Sequence, residues 1–244
     1  MAVRRTVNRP AASDPVARRY LCSPLPSPGP AQLPETVSSH LLVVRARVGD
    51  TIRLFDGAGR ECDARLERVE RRGITAQVGA PEAVTREPAL RLELAVALPK
   101  GARAEWLFEH GTELGIARFR PLVFARSQAV ARDGRRARWE RIVRAACEQC
   151  DRSQVPLVDD ERELAELLAE DGLPAARFAA VPGGRAALAA PASRDAVLLV
   201  GPEGGLTDAE LGSLAAAGFA SCTLGPLTLR TETAALVGAA RLLA

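Results

Sequence analysis

From Leu90 to the end of the chain, short apolar runs alternate with amphipathic stretches, and that alternation limits what the chain can fold into. Leu90-Arg-Leu-Glu-Leu-Ala-Val-Ala-Leu98 begins with period-two alternation and ends continuously apolar, as a strand covered on both faces does. It stops at Pro99-Lys100-Gly101, after which a helix is predicted from about Ala102 to Leu114, with Gly115 as its C-cap. Phe119 to Phe124 reads as the next strand. Arg135 to Cys150 reads as the next helix, with Trp139, Ile142, Val143 and Ala146 on one face. Weaker signals place a helix near Glu161 to Glu170 and strands near Arg177 to Val181 and Ala196 to Val200. Strands separated by helices imply βαβ units, an α/β class and a mostly parallel sheet.

The first part of the chain has a different rhythm. Residues 1–17 are rich in Arg, Ala and Pro without an apolar period, and are expected to form a flexible arm. From Arg18, short extended segments follow: Arg19 to Cys22, then, after a proline-rich loop, Thr51 to Phe55, Glu61 to Leu66 and Ile74 to Val78, with a short helix near Ser38 to Val44. Turn signals such as Val48-Gly49-Asp50 and Asp56-Gly-Ala-Gly59 separate them, which suggests a small β-barrel. Pro81 to Pro88 reads as a linker, so the expected division is 1–17, 18–85 and 86–244.

Charge and cysteine content exclude several classes. The net charge of +3 is too small to argue by itself for a polyanionic partner. Of the 33 basic residues, however, only Lys100 is a lysine, and the arginines cluster at 4–19, 65–72, 118–144 and near 152. Arginine forks suit phosphate and stacked bases, although solvated charge or codon bias accounts for clusters equally well. Apolar runs stay short of the roughly 18 residues that a membrane span needs, and the N-terminus has no hydrophobic signal core, so a cytoplasmic protein with no membrane partner is expected. Cys22, Cys62, Cys147, Cys150 and Cys222 are odd in number and scattered, unlike a disulfide framework. Cys147-Glu-Gln-Cys150 falls near the end of a helix, with no second pair and only His40 and His110 in the chain, so no metal site is expected.

The chemistry-bearing candidates lie late in the chain, where two strands break into glycine-proline loops that feed helices. Gly201-Pro-Glu-Gly-Gly205 precedes Thr207-Asp-Ala-Glu210, a capping box that starts a helix. It matches neither the phosphate P-loop nor the dinucleotide glycine pattern. The second loop, Leu224-Gly-Pro-Leu-Thr-Leu-Arg230, leads into a helix from about Thr231. Arg230 at a helix start opposes the helix dipole and calls for an anion, either Glu232 in the first turn or a substrate group. The chain offers no Ser/His/Asp constellation, which disfavours hydrolysis.

These stretches in this order resemble the RsmE family, the 16S ribosomal RNA uridine-N3 methyltransferases of the SPOUT superfamily. The likeness rests on Leu199 to Thr207 and Leu224 to Ala234, on Leu98-Pro-Lys-Gly-x-Arg-x-Glu-Trp106 and Thr112-Glu-Leu-Gly-Ile116, and on Pro121-Leu-Val-x-x-Arg-Ser127. It extends to Cys147-Glu-Gln-Cys-Asp-Arg152 with Val155-Pro156, and to Arg45-x-x-x-Gly-Asp50 with Leu54-Phe-Asp-Gly57. Two departures are His110-Gly111 in place of a basic residue and Ser39 where a histidine is usual. The resemblance implies a PUA-like RNA-binding barrel, a SPOUT domain with a trefoil knot and a homodimer. It also implies S-adenosylmethionine, held by Leu199, Val200, Gly201, Gly204, Gly205, Leu224, Gly225, Pro226 and Leu229. Arg230 would position or stabilise the uridine, with Glu203 or Glu232 orienting Arg230 or taking the N3 proton. Arg18, Arg45, Lys100, Arg103, Arg126 and Arg152 would bind 16S RNA or the small subunit. A noncatalytic RNA-binding or ribosome-assembly protein on the same fold is the alternative.

Overall fold

The computed structural model describes residues 18–127, 135–184 and 186–244; the expected arm at 1–17 lies outside them. The chain divides into two compact units between Val84 and Thr85.

In the first unit the elements are β1 (Arg19–Leu21), β2 (Gly29–Gln32), α1 (Glu35–Val43), β3 (Thr51–Phe55), β4 (Arg60–Glu70), β5 (Gly73–Val78) and β6 (Glu82–Ala83). They form one six-stranded sheet in the order β1-β3-β4-β5-β2, with β6 on β4; all pairs are antiparallel except β1 with β3. The turn after β3 forms because the Asp56 carboxylate accepts from the N–H groups of Ala58 and Arg60, at 2.8 and 3.0 Å. Val37 and Leu41 of α1 pack on Ile52, Leu54, Leu66 and Ile74. Buried Glu61 is held by Arg19 and Arg53, each at 2.9 Å, with Arg19 lying over the Phe55 ring. Two strands escape the sequence pattern: β2 lies in the proline-rich loop and β6 in the linker. Both are short and exposed or half-buried, so their only signature is the partner strand.

The second unit holds β7 (Arg91–Ala97), α2 (Ala102–Leu114), β8 (Arg118–Val123), α3 (Arg135–Gln149), β9 (Leu157–Val158), β10 (Arg162–Glu163), α4 (Leu164–Leu168) and β11 (Ala176–Ala180). It continues with β12 (Ala186–Ala187), β13 (Asp195–Val200), α5 (Asp208–Ala216), β14 (Ala220–Thr223) and α6 (Thr231–Leu243). The sheet runs β10-β8-β7-β13-β11-β14-β12, with β9 on β8, and every pair in it is parallel. Alternate residues of β7 and β13 face two separate cores. Leu92, Leu94, Val96, Leu198 and Val200 meet α2, α3 and α6, whereas Ala95, Ala97, Val197 and Leu199 meet α4 and α5. Burial on both faces is why these strands read as continuous apolar runs.

Helix α2 ends where expected, at Gly115, whose φ of 99° is the left-handed cap that glycine adopts without a Cβ penalty. The helix expected over 161–170 is shorter. Arg162 and Glu163 extend β8's edge instead, and the Glu166 carboxylate accepts from the Glu163 N–H at 2.9 Å, fixing the helix start at Leu164.

Arg152 corrects one expectation directly. It is buried rather than presented to RNA, and its guanidinium donates to both Glu87 carboxylate oxygens and to the carbonyls of Thr112 and Ile116 at 3.0 and 2.8 Å. It ties the end of α2 to the segment that enters the unit, because the last carbonyls of a helix need donors. Arg152→Met leaves Glu87 without its partner and is expected to cost about 3–5 kcal/mol in denaturant unfolding. RNA affinity per folded molecule should stay unchanged; a lowered affinity at unchanged stability would return Arg152 to the RNA surface.

Candidate functional site

Three parallel strands, β11, β13 and β14, end side by side, and the loops that leave them enclose a cleft. The loops run from Val181 to Gly184, from Gly201 to Leu206 and from Leu224 to Arg230. The space between them, open solvent included, is about 700 Å³. Of the expected cofactor residues, Val200, Gly201, Gly205, Leu224, Gly225 and Leu229 line it. Gly204 lies just beyond, packed on Arg126, and Pro226 is exposed outside the lining. Leu199 is fully buried and its side chain packs in the core on the α4 and α5 face, so only its backbone is placed to serve the cleft that Val200 lines. The period-two pleat sends Leu199 and Val200 to opposite faces.

The third loop, Val181-Pro182-Gly183-Gly184, is missing from the sequence-based set, although Val181 and Pro182 line the cleft. Its signal was present, since it repeats the strand-then-proline-glycine break of the other two. Gly184 lies against β14: a Cβ there would fall 2.5 Å from the Cys222 carbonyl carbon. Cys222 itself is buried, which pushes its thiol up to about 11.

The predicted capping box forms, and it also holds a neighbouring loop. Thr207 Oγ1 accepts from the Glu210 N–H at 3.2 Å and Glu210 accepts from the Thr207 N–H at 2.7 Å. The other Glu210 oxygen accepts from the Ala125 N–H at 2.8 Å. Burial works against ionisation of Glu210, yet the N–H groups of Thr207 and Ala125 hold its carboxyl below the usual range. The loop after β8 is thereby fixed, and Arg126 in it donates to the carbonyls of Gly204 and Leu206 at 3.1 and 3.4 Å.

A second cleft of about 490 Å³ adjoins the first at the ends of β7 and β8. Lys100 and Arg126 line it, and Pro202, Glu203 and Thr231 line both clefts. At this junction the Glu203 carboxylate meets Arg103 Nη1 at 2.6 Å, which raises the guanidinium further above its ordinary value. Glu232 Oε1 lies 3.8 Å from the same Nη1, and Glu232 is buried. The two carboxylates that the sequence offered to Arg230 therefore engage Arg103 instead. Arg230, the N-cap residue of α6, is exposed, and its side chain has no partner among the described residues. Thr231 Oγ1 donates to the Gly201 carbonyl at 3.4 Å and ties α6 to the first loop.

The other arginines of the 118–144 cluster are mostly committed within the protein. Arg120 is fully buried between Glu93 and Glu170, at 2.6 and 2.7 Å, and Arg118 binds Asp159 at 2.9 Å. Arg136 bridges Glu140 and Asp160, at 2.9 and 3.0 Å, and Arg138 pairs with Glu105. Arg18 and Arg45 belong to the first unit, both exposed; Arg45 takes a φ of 56° just past α1. Among the described residues no three His, Cys, Asp or Glu groups are placed to hold a metal, and no helix is long and apolar enough to cross a membrane.

A two-sided parallel sheet with its cleft at the carboxyl strand ends, beside a basic second cleft, is the architecture of an RNA methyltransferase domain; the family model of that description matches residues 85–243. A second family model, described as an RNA methyltransferase PUA domain, matches residues 33–79. The ribosomal RNA small subunit methyltransferase E of Bacillus subtilis is 33% identical over 216 residues, covering 83% of this chain and 84% of the relative. The protein of the same name from Mycobacterium bovis is 35% identical over 210 residues, covering 80% of this chain and 78% of the relative. Among solved structures, a ribosomal RNA small subunit methyltransferase E from Neisseria gonorrhoeae bound to S-adenosyl methionine superposes with a TM-score of 0.84 at 32% identity, covering 92% of this chain and 95% of that one. A Legionella pneumophila methyltransferase in complex with the same cofactor gives 0.81 at 30% identity, covering 91% and 95%. The chain belongs to the ribosomal RNA small subunit methyltransferase E family, as its sequence motifs implied.

The close approach at Gly184 is directly testable. Gly184→Ala must push β14 or the third loop aside, at a cost of about 1–3 kcal/mol. A denaturation midpoint equal to that of the unaltered protein would show that the loop does not pack this way.

Proposed function

We propose that this protein methylates N3 of a uridine in 16S ribosomal RNA of the small subunit, with S-adenosylmethionine as donor. The observation that carries the proposal is the paired clefts: a glycine-lined cleft at three strand ends opens, across Glu203 and Thr231, onto one that presents Lys100 and Arg126. The first fits the cofactor in chemistry. Val181, Leu224, Leu227 and Leu229 offer apolar walls to an adenine, and Gly201, Gly205 and Gly225 offer backbone groups without side chains in the way. The cofactor supplies a methyl group already activated on a sulfonium.

The chain's own residues then have three tasks: to align the uridine, to exclude water, and to handle the imide proton. Lys100 and Arg126 attract the RNA backbone into the second cleft. Arg230, without a side-chain partner among the described residues and at the end of the second loop, contacts the target nucleotide and stabilises negative charge that develops on the base as N3 loses its proton. Glu203 or Glu232 serves that proton transfer. The PUA-like unit binds RNA, through Arg18 and Arg45 among others. A homodimer is part of the same reading, supported by Leu227, which is 79% exposed at the cleft mouth. So is a knotted arrangement of the three loops, which the family resemblance implies. The cytoplasm, where ribosomes assemble, is the proposed location.

Arg230→Ala tests the proposal. Methylation of unmodified small-subunit RNA should fall about 100-fold or more, while calorimetric binding of S-adenosylmethionine stays within about threefold, less than 1 kcal/mol. Unchanged methylation removes Arg230 from the reaction; a wild-type protein that fails to bind the cofactor leaves a noncatalytic RNA-binding protein as the reading.

A further inference from the structure

The junction between the clefts holds an imbalance that the fold alone does not account for. Two carboxylates, Glu203 and Glu232, compete for one guanidinium nitrogen of Arg103. Glu203 has it, at 2.6 Å, although its side chain is 42% exposed and could be solvated by water. Glu232 does not, at 3.8 Å, although its side chain is only 7% exposed and its Oε2 has no hydrogen-bond partner among the described residues. A buried carboxylate oxygen without a donor is costly, whereas an exposed one beside water is not. A shift of Arg103 toward Glu232 would shorten its 3.8 Å contact with Oε1 and release Glu203.

Resting on the methyltransferase reading, we propose that Glu203 is the residue that takes the N3 proton of the uridine, and that Arg103 is passed from Glu203 to Glu232 when the substrate enters. Position favours Glu203 over Glu232. Glu203 lines both clefts, so its carboxylate stands between the donor's cleft and the basic cleft through which the RNA base arrives. Glu232 lines neither and acts only through Arg103. While Arg103 Nη1 donates to Glu203 Oε1, that oxygen is occupied and the ion pair holds the carboxylate in place. Once Arg103 turns to Glu232, a free Glu203 oxygen accepts the imide proton, and the N3 electron pair forms the new bond to the methyl carbon. The carbon–sulfur bond breaks and its electrons return to sulfur, leaving a neutral thioether. The proton on Glu203 then passes to water. Glu203 is thus a catalytic residue, and Arg103 and Glu232 are positioning residues.

Three variants separate these roles in single-turnover methylation by the full chain. Glu203→Gln should lose about 10²–10⁴-fold, the usual contribution of a general base, with S-adenosylmethionine affinity and melting temperature little changed. RNA carrying 5-fluorouridine at the target, whose N3–H is more acidic, should restore much of that loss. Glu232→Gln should slow the reaction by leaving Arg103 on Glu203. The same change in an Arg103→Met background should cost less than about threefold, because Glu203 is then already free; contacting residues are expected to show such non-additivity. Glu232→Asp, which keeps the charge, serves if the glutamine variant does not fold.

The proposal is overturned if Glu203→Gln methylates within about threefold of the unaltered protein, under 1 kcal/mol of barrier. It is equally overturned if fluorouridine gives no recovery, or if the Glu232 change costs as much without Arg103 as with it, which marks a structural carboxylate. Failure of the unaltered protein to methylate uridine while binding the cofactor overturns the methyltransferase reading itself, and is seen before any variant is made.

Discussion

The parallel pairing of β7 with β13 is the constraint on which the methyltransferase unit depends. Leu94 lies opposite Leu198 and Val96 opposite Val200, and each strand sends alternate side chains into two different cores. Parallel strands cannot be joined by tight turns, so every connection between neighbours must cross a face of the sheet as a helix or long loop. All strands then point the same way and release their loops at one edge. That geometry, rather than any single loop sequence, brings residues near 100, 126, 181, 203 and 225 to one place. Helix α6 completes it by returning across β13, where Gly238 lets the helix come close: a Cβ there would lie 2.6 Å from Leu198. Thr231 reaches the first loop because α6 is seated so deeply.

Charge in this protein divides by partnership. Arg19, Arg120 and Arg152 are buried with carboxylates or carbonyls and serve the fold. Removing water from such groups is costly, and the cost is offset only where the pairing geometry is good, so these pairs resist rearrangement. Lys100, Arg126 and Arg230 sit in the loops after the strand ends, with backbone contacts for Arg126 and no side-chain partner for Arg230 among the described residues. Arg103 belongs to neither group, shared as it is between an exposed and a buried carboxylate.

The two clefts are also mechanically connected. One Glu210 carboxylate closes the capping box of α5 and holds the Ala125 N–H, so the loop that carries Arg126 is anchored to the helix that follows the glycine loop. Arg126 returns the connection by donating to Gly204 and Leu206. A capping box that the sequence shows only as a helix start is, in the folded chain, the link between the surface that would hold cofactor and the one that would hold RNA.

Local rules were enough for much of this protein. Helix α2 with its Gly115 cap, the face of α3 and the Thr207 capping box follow from periodicity and from which residues tolerate which backbone angles, all of which act within a few positions along the chain. The motif order was enough for the family. What depended on residues distant in sequence was not legible: β2 and β6 exist only because β5 and β4 offer them edges, and Arg152 is buried only because Glu87 and the end of α2 surround it. The same holds for the carboxylates near Arg230. Helix position put Glu232 within two residues of it, but the packing of α6 against α2 turned that carboxylate to Arg103, a partner 129 positions away in sequence. Short-range propensity is written in neighbouring residues, whereas the pairing of buried charge is decided by which surfaces the sheet brings together.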